Sequence, residues 1–237
     1  MARRQGGASR MINDPKIWGI AFLGGILPSI LWLLFWLRED HKNPEPKGLL
    51  AIAFVMGMIT VMIVLPIQKI IQSFAWPNGW ELVAWAGTEE ILKLLTVLLV
   101  VSSTNQADEP MDWPIYIITL ALGFAAVENT LFLLQPITVG DTAVGLLTGH
   151  LRFLGATLLH TISSGIIGIS MGLSFYMGSL RKKLYVLLGV LLAVALHSIF
   201  NFFIIKNGGS DFLKVFAFLW VGAIIVMLVF EKLRRMN

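Results

Sequence analysis

Cysteine is absent from the 237 residues. Disulfides, thiolate nucleophiles and thiolate metal ligands are therefore excluded, and the redox compartment is unmarked. Charge is scarce as well: Asp, Glu, Lys and Arg make up 14% of the chain against 57% hydrophobic residues, and the mean hydropathy is +0.79. Soluble domains are rarely this apolar, so a multi-span membrane protein is expected. Two catalytic signatures are missing too. There is no GxSxG turn to expose a serine hydroxyl, which argues against a serine nucleophile even though Ser163 and Ser164 stand near His160 in the chain. There is no HExxH, so a zinc site would have to be assembled from separate helices. The net charge of +4 and pI near 9.5 do not indicate a nucleic-acid partner, because the cations flank apolar blocks and suit lipid headgroups.

What is present is a succession of apolar blocks, at about 17–37, 49–71, 80–103, 113–135, 151–177, 183–205 and 212–231, each near the ~20 residues that cross a bilayer core. This predicts an all-α, polytopic transmembrane bundle of about seven spans, forming one integral membrane domain over residues 1–237. The block at 17–37 follows the cationic stretch "MARRQGGASRMINDPK". It is longer than a signal-peptide core and reads as a retained span. The connections carry helix-ending residues: "REDHKNPEPKG", "WPNG", "TNQADEPMDWP", "QPITVGD" and "KNGGSD". A re-entrant or interfacial helix is expected near 138–150. "WPNG" and "QPITVGD" lack Lys and Arg, which places them outside and the C-terminus in the cytoplasm.

Ionisable groups inside spans are expensive, roughly 2.5–3.5 kcal/mol each on insertion scales, and mark functional sites. Here they and their polar companions are Glu89, Glu90 and Lys93 in the third block, Glu128 and Asn129 in the fourth, His160 with Ser163 and Ser164 in the fifth, and His197 with Asn201 in the sixth. Counted from the face bearing "WPNG", "QPITVGD" and "KNGGSD", Glu89, Glu128, His160 and His197 all lie roughly 12–14 Å deep. They converge in one layer if successive spans alternate in direction. Glu89 and Lys93 are spaced to pair, Glu90 points elsewhere, and Phe124 shares a helix face with Glu128. Arg152 lies on the His160 side of its helix, nearer the surface. Ser164, Gly168 and Gly172 form a ridge of small residues suited to close helix packing.

A carboxylate shielded from water is a stronger base, suited to take a proton from water, and imidazoles and an amide orient water or stabilise an oxyanion. Together these are parts for hydrolysing an amide. Two histidines with Glu89, Glu90 or Glu128 are also ligands of the right type for a divalent metal such as zinc. Packing roles compete with each reading: a buried Glu–Lys pair, interhelical histidine bonds, and Asn129 bonding a neighbouring helix. His41 and His150 read as solvated or interfacial.

The ordered set "EEILK" (Glu89 to Lys93), "FAAVEN" (Phe124 to Asn129), "HTISSGIIG" (His160 to Gly168) and "HSIFN" (His197 to Asn201) resembles the PrsW family of intramembrane proteases. That family is distantly similar to the CAAX prenyl endopeptidase and bacteriocin-processing group, whose motifs run EExxxR, FxxxH and HxxxN. The resemblance spans about residues 80–205, the expected catalytic core. It implies a prokaryotic cell-membrane endopeptidase that cuts a membrane-anchored protein, anti-sigma-factor-like, on the extracytoplasmic side. It implies Glu89, Glu90, His160 and His197 as catalytic, Glu128 in place of the related group's FxxxH histidine, and His197 with Asn201 at the oxyanion. A metal at the same residues is the other mechanism that it implies. Lys93 comes one residue before the related group's arginine, which separates this chain from prenyl proteases.

Two further classes compete, a proton-coupled carrier and a non-catalytic binding or immunity protein. Carriers are often built from repeats, and none is visible here. Substitution separates the classes: in an enzyme, Glu89→Gln or Glu90→Gln stops cleavage and spares folding, whereas a purely structural pair predicts misfolding.

Overall fold

The computed structural model describes residues 15–39, 44–138, 155–206 and 212–236. Seven helices account for nearly all of them: α1 (Pro15–Glu39), α2 (Lys47–Gln72), α3 (Trp80–Val101), α4 (Asp112–Thr138), α5 (Thr157–Leu173), α6 (Ser179–Lys206) and α7 (Phe212–Arg234). Each falls on one of the apolar blocks, and no strand occurs among the described residues. In the fifth block the described residues begin at Gly155, with Gly155 and Ala156 in π geometry ahead of α5. Arg152, His41 and His150, and most of the segment expected to re-enter, lie outside the described residues.

Among the described residues five helices, α1, α2, α4, α6 and α7, are long and apolar enough to cross a membrane. The two that differ carry Glu89, Glu90, Lys93 and His160 of the expected site, while Glu128 stands on α4 and His197 on α6. α3 is interrupted by Glu89, Glu90 and Lys93, and α5 has only 17 residues. α5 is shielded by its neighbours, while α3 turns Ile91, Leu95 and Leu99 outward, away from its glutamates; Leu23, Leu191, Leu192 and Leu228 on α1, α6 and α7 are exposed as well. The protein is a polytopic helical membrane bundle, apolar outside and polar at one level within.

α4 is the central helix. Of its apolar stretch 72% is buried, against 28–39% in the other four spanning helices. It packs along α1, α2 and α5, while α5 also meets α6 and α7, and α3 bridges α2 and α6. The α2–α4 crossing is a backbone contact. A Cβ at Gly57 would stand 1.9 Å from the Leu120 carbonyl oxygen, and one at Gly123 would stand 1.9 Å from that of Phe54. Only glycine permits this approach, the small-residue packing that membrane helices use in place of a hydrophobic driving force. On α5, Gly168 faces Pro114 and Gly172 faces the Pro110 carbonyl, so the ridge is a packing surface, and Ser164 belongs to the polar layer.

Candidate active site

α3 places Glu89, Glu90 and Lys93 on its buried side. At about 100° per residue, Lys93 projects between the two glutamates, roughly 40° from Glu89 and 60° from Glu90. Its ammonium therefore touches both, but unequally: Nζ is 2.9 Å from Glu90 Oε1 and 3.8 Å from Glu89 Oε2. The i,i+4 spacing that singles out the Glu89 pairing is thus half of the arrangement, and the closer contact is with Glu90.

Glu90 is the hub of the layer and is fully buried. Its Oε1 accepts from Lys93 Nζ (2.9 Å) and His197 Nδ1 (2.9 Å), and Ser163 Oγ, 3.0 Å away, shares its single proton between this oxygen and the Leu159 carbonyl. Its Oε2 accepts from Ser164 Oγ at 2.8 Å. One carboxylate thereby ties α3 to α5 and α6. Ser164 acts as a hydrogen-bond donor here, in keeping with the absence of a nucleophile turn.

Glu89 is buried to a similar degree, 3% exposed, but differently served. Gln68 Nε2 on α2 donates to its Oε1 at 2.9 Å, while its Oε2 has no hydrogen-bond partner. That oxygen lies 3.7 Å from His197 Nε2 and 4.0 Å from His160 Nδ1. A buried polar atom without a partner is rare and marks a place built for something else.

The histidine tautomers follow from their neighbours. Lys93 is a donor only, so His160 Nδ1, 2.8 Å from Nζ, accepts, and Nε2 carries the proton toward Glu128 Oε2 at 3.0 Å. His197 donates through Nδ1 to Glu90, leaving Nε2 turned toward Glu89 Oε2. The two rings meet edge to face with centroids 5.1 Å apart, and Phe124 walls the layer, 5.4 Å from the His160 ring and 4.4 Å from Lys93 Nζ. Glu128 is more open than the histidine it binds, its side chain 20% exposed against 2% for His160.

Glu89, His160 and His197 each offer a ligand atom, all within 4.8 Å of one another. Two nitrogens and an oxygen, with the carboxylate atom unpartnered and the His197 ring held by a carboxylate behind it, fit a divalent metal such as zinc. Lys93 shares the third donor, His160 Nδ1, so its ammonium and a metal compete for that nitrogen.

The other expected residues divide. Asn129 Nδ2 bonds Thr157 Oγ1 at 2.8 Å, an interhelical link between α4 and α5. Asn201 is half-buried and makes no side-chain hydrogen bond to the described residues. Ser163 joins the layer with Ser164, as its place in the fifth block suggests, and Gln68 extends it beyond the expected residues. Gln68 had a faint signal, an amide within the apolar run "MIVLPIQKII", but no spacing rule connects α2 to α3.

The family profile described as PrsW family intramembrane metalloprotease matches residues 45–230. Among curated proteins, Protease PrsW of Oceanobacillus iheyensis is 28% identical over 226 residues, covering 90% of this chain and 94% of that protein. Protease PrsW of Geobacillus kaustophilus is 26% identical over 186 residues (77% and 79%), and Protease PrsW of Bacillus subtilis is 24% identical over 201 (83% and 88%). No solved structure matches the chain. The match runs from the start of α2 into α7 and encloses the whole polar layer, and with it the chain belongs to the PrsW family of intramembrane metalloproteases.

Proposed function

We propose that the chain hydrolyses a peptide bond in a membrane-anchored protein, with Glu89 at the reacting centre. The observation that carries this reading is the unpartnered Glu89 Oε2, buried between His160 and His197. Glu89 Oε2 takes one proton from the water whose oxygen adds to the scissile carbonyl, and returns it to the leaving amine as the C–N bond breaks. His197, oriented by Glu90, and His160, oriented by Glu128 and Lys93, flank the water and the developing oxyanion. Asn201, one turn beyond His197, completes the oxyanion side. A divalent metal such as zinc, held by Glu89, His160 and His197, would supply Lewis acidity to the same water and carbonyl.

The catalytic core spans 80–205 within one membrane domain, and the site opens toward the extracytoplasmic face of a prokaryotic cell membrane. A single-span protein of the anti-sigma-factor kind suits a site roughly 12–14 Å below that face.

The test is cleavage of a single-span reporter by the purified chain, wild type against Glu89→Gln, with and without chelation and zinc add-back. Loss in the variant with no effect of chelator supports water activated by glutamate alone. Loss on chelation, restored by zinc, assigns the same residues to a metal. An active Glu89→Gln variant overturns the reading.

A further inference from the structure

We propose that Gln68, on α2 and outside the motif-bearing stretch, is a positioning residue that holds Glu89 in its reactive orientation. The inference rests on the proposed role of Glu89. Gln68 is the one side chain among the described residues that hydrogen-bonds Glu89, through Oε1 at 2.9 Å. Holding that oxygen fixes rotation about the terminal bond of the side chain, and Oε2 is left facing His197 Nε2 and His160 Nδ1.

The chemistry of an amide suits this task. A lysine or arginine at the same distance would neutralise the carboxylate and quench its basicity. An amide donates one hydrogen bond at any pH and leaves the charge in place. The contrast with Glu90 is direct. That neighbour is pinned by Lys93, His197 and two serines, and has no free oxygen. Glu89 has one hydrogen-bond donor, a neutral one, and an Oε2 that accepts no hydrogen bond, with the Lys93 ammonium standing off at 3.8 Å. α2 also reaches this position for a structural reason: its glycine contact with α4 at Gly57 brings the helix against the bundle, and Gln68, three turns further on, inherits that closeness.

The experiment uses the full chain in detergent and has two arms. In the first, thermal unfolding is measured for Gln68→Met, Glu89→Leu and the double variant. Methionine keeps the length and lacks the donor; Gln68→Leu serves if the methionine variant does not fold. A real bond makes the double variant less destabilised than the sum of the singles, because removing both partners strands nothing. In the second arm, kcat and KM are read on a single-span reporter that the wild type cleaves. Gln68→Met is expected to lower kcat about 10–100-fold, the effect typical of outer-shell orienting groups, with KM within about twofold. Additive unfolding shifts overturn the proposal, as does coupling with an unchanged kcat. Full activity in Glu89→Gln instead overturns the assignment of Glu89, a separate result.

Discussion

Replacing Glu90 by glutamine strands the Lys93 ammonium 2.9 Å away in a layer where neither side chain has exposed surface. Breaking a buried ion pair in this way costs about 3–5 kcal/mol. Glu90→Gln is therefore expected to be poorly folded, as read by thermal unfolding in detergent. Glu89→Gln is expected to fold with a change below about 1 kcal/mol, because the new amide still accepts from Gln68 and Lys93 keeps Glu90 and His160. Equal stability of the two variants would refute this division. From sequence the pair is a single motif, and both substitutions are expected to spare folding. The structure assigns the adjacent residues different work because one points at three donors on its Oε1 and the other at one amide.

Among the helices, the α2–α4 contact controls whether Gln68 can reach the site. Gly123→Ala places a methyl 1.9 Å from the Phe54 carbonyl oxygen, and the two helices must part. Overpacking of this kind costs about 1–3 kcal/mol, and because α2 moves, cleavage should fall together with stability. Gly48→Ala is the control: nothing lies within 4 Å of a Cβ at Gly48, so unfolding and activity should match the wild type. α3 and α5 illustrate the converse dependence. Their polar groups meet across the bundle: Glu90 on α3 takes hydrogen bonds from Ser163 and Ser164 on α5, and Lys93 reaches His160.

For the whole molecule, the absence of cysteine is an experimental advantage, since any introduced thiol is the only one in the chain. Ser73→Cys and Lys182→Cys put thiols at exposed positions on opposite faces. In intact cells a membrane-impermeant maleimide should label the first, and label the second only after permeabilisation. The opposite pattern would place the site toward the cytoplasm and invert the orientation. α1 lies before the family match, which begins at residue 45, yet it packs along α4, so the bundle extends beyond the matched segment.

The sequence by itself determined the helices, because hydrocarbon allows a spanning backbone few other solutions. Blocks expected at about 49–71, 113–135 and 212–231 are α2 (Lys47–Gln72), α4 (Asp112–Thr138) and α7 (Phe212–Arg234). It also determined the level of the site, since 1.5 Å per residue puts Glu89, Glu128, His160 and His197 at one depth. Only the tertiary structure decided who touches whom within that level. Lys93 stands between two glutamates, His197 leans on Glu90, Asn129 turns to Thr157, and Gln68 arrives from a helix without a motif. Depth follows from counting along one helix, whereas partnership depends on the rotation and crossing of several. Those are set by backbone contacts such as Gly57 with Leu120, which no local pattern encodes.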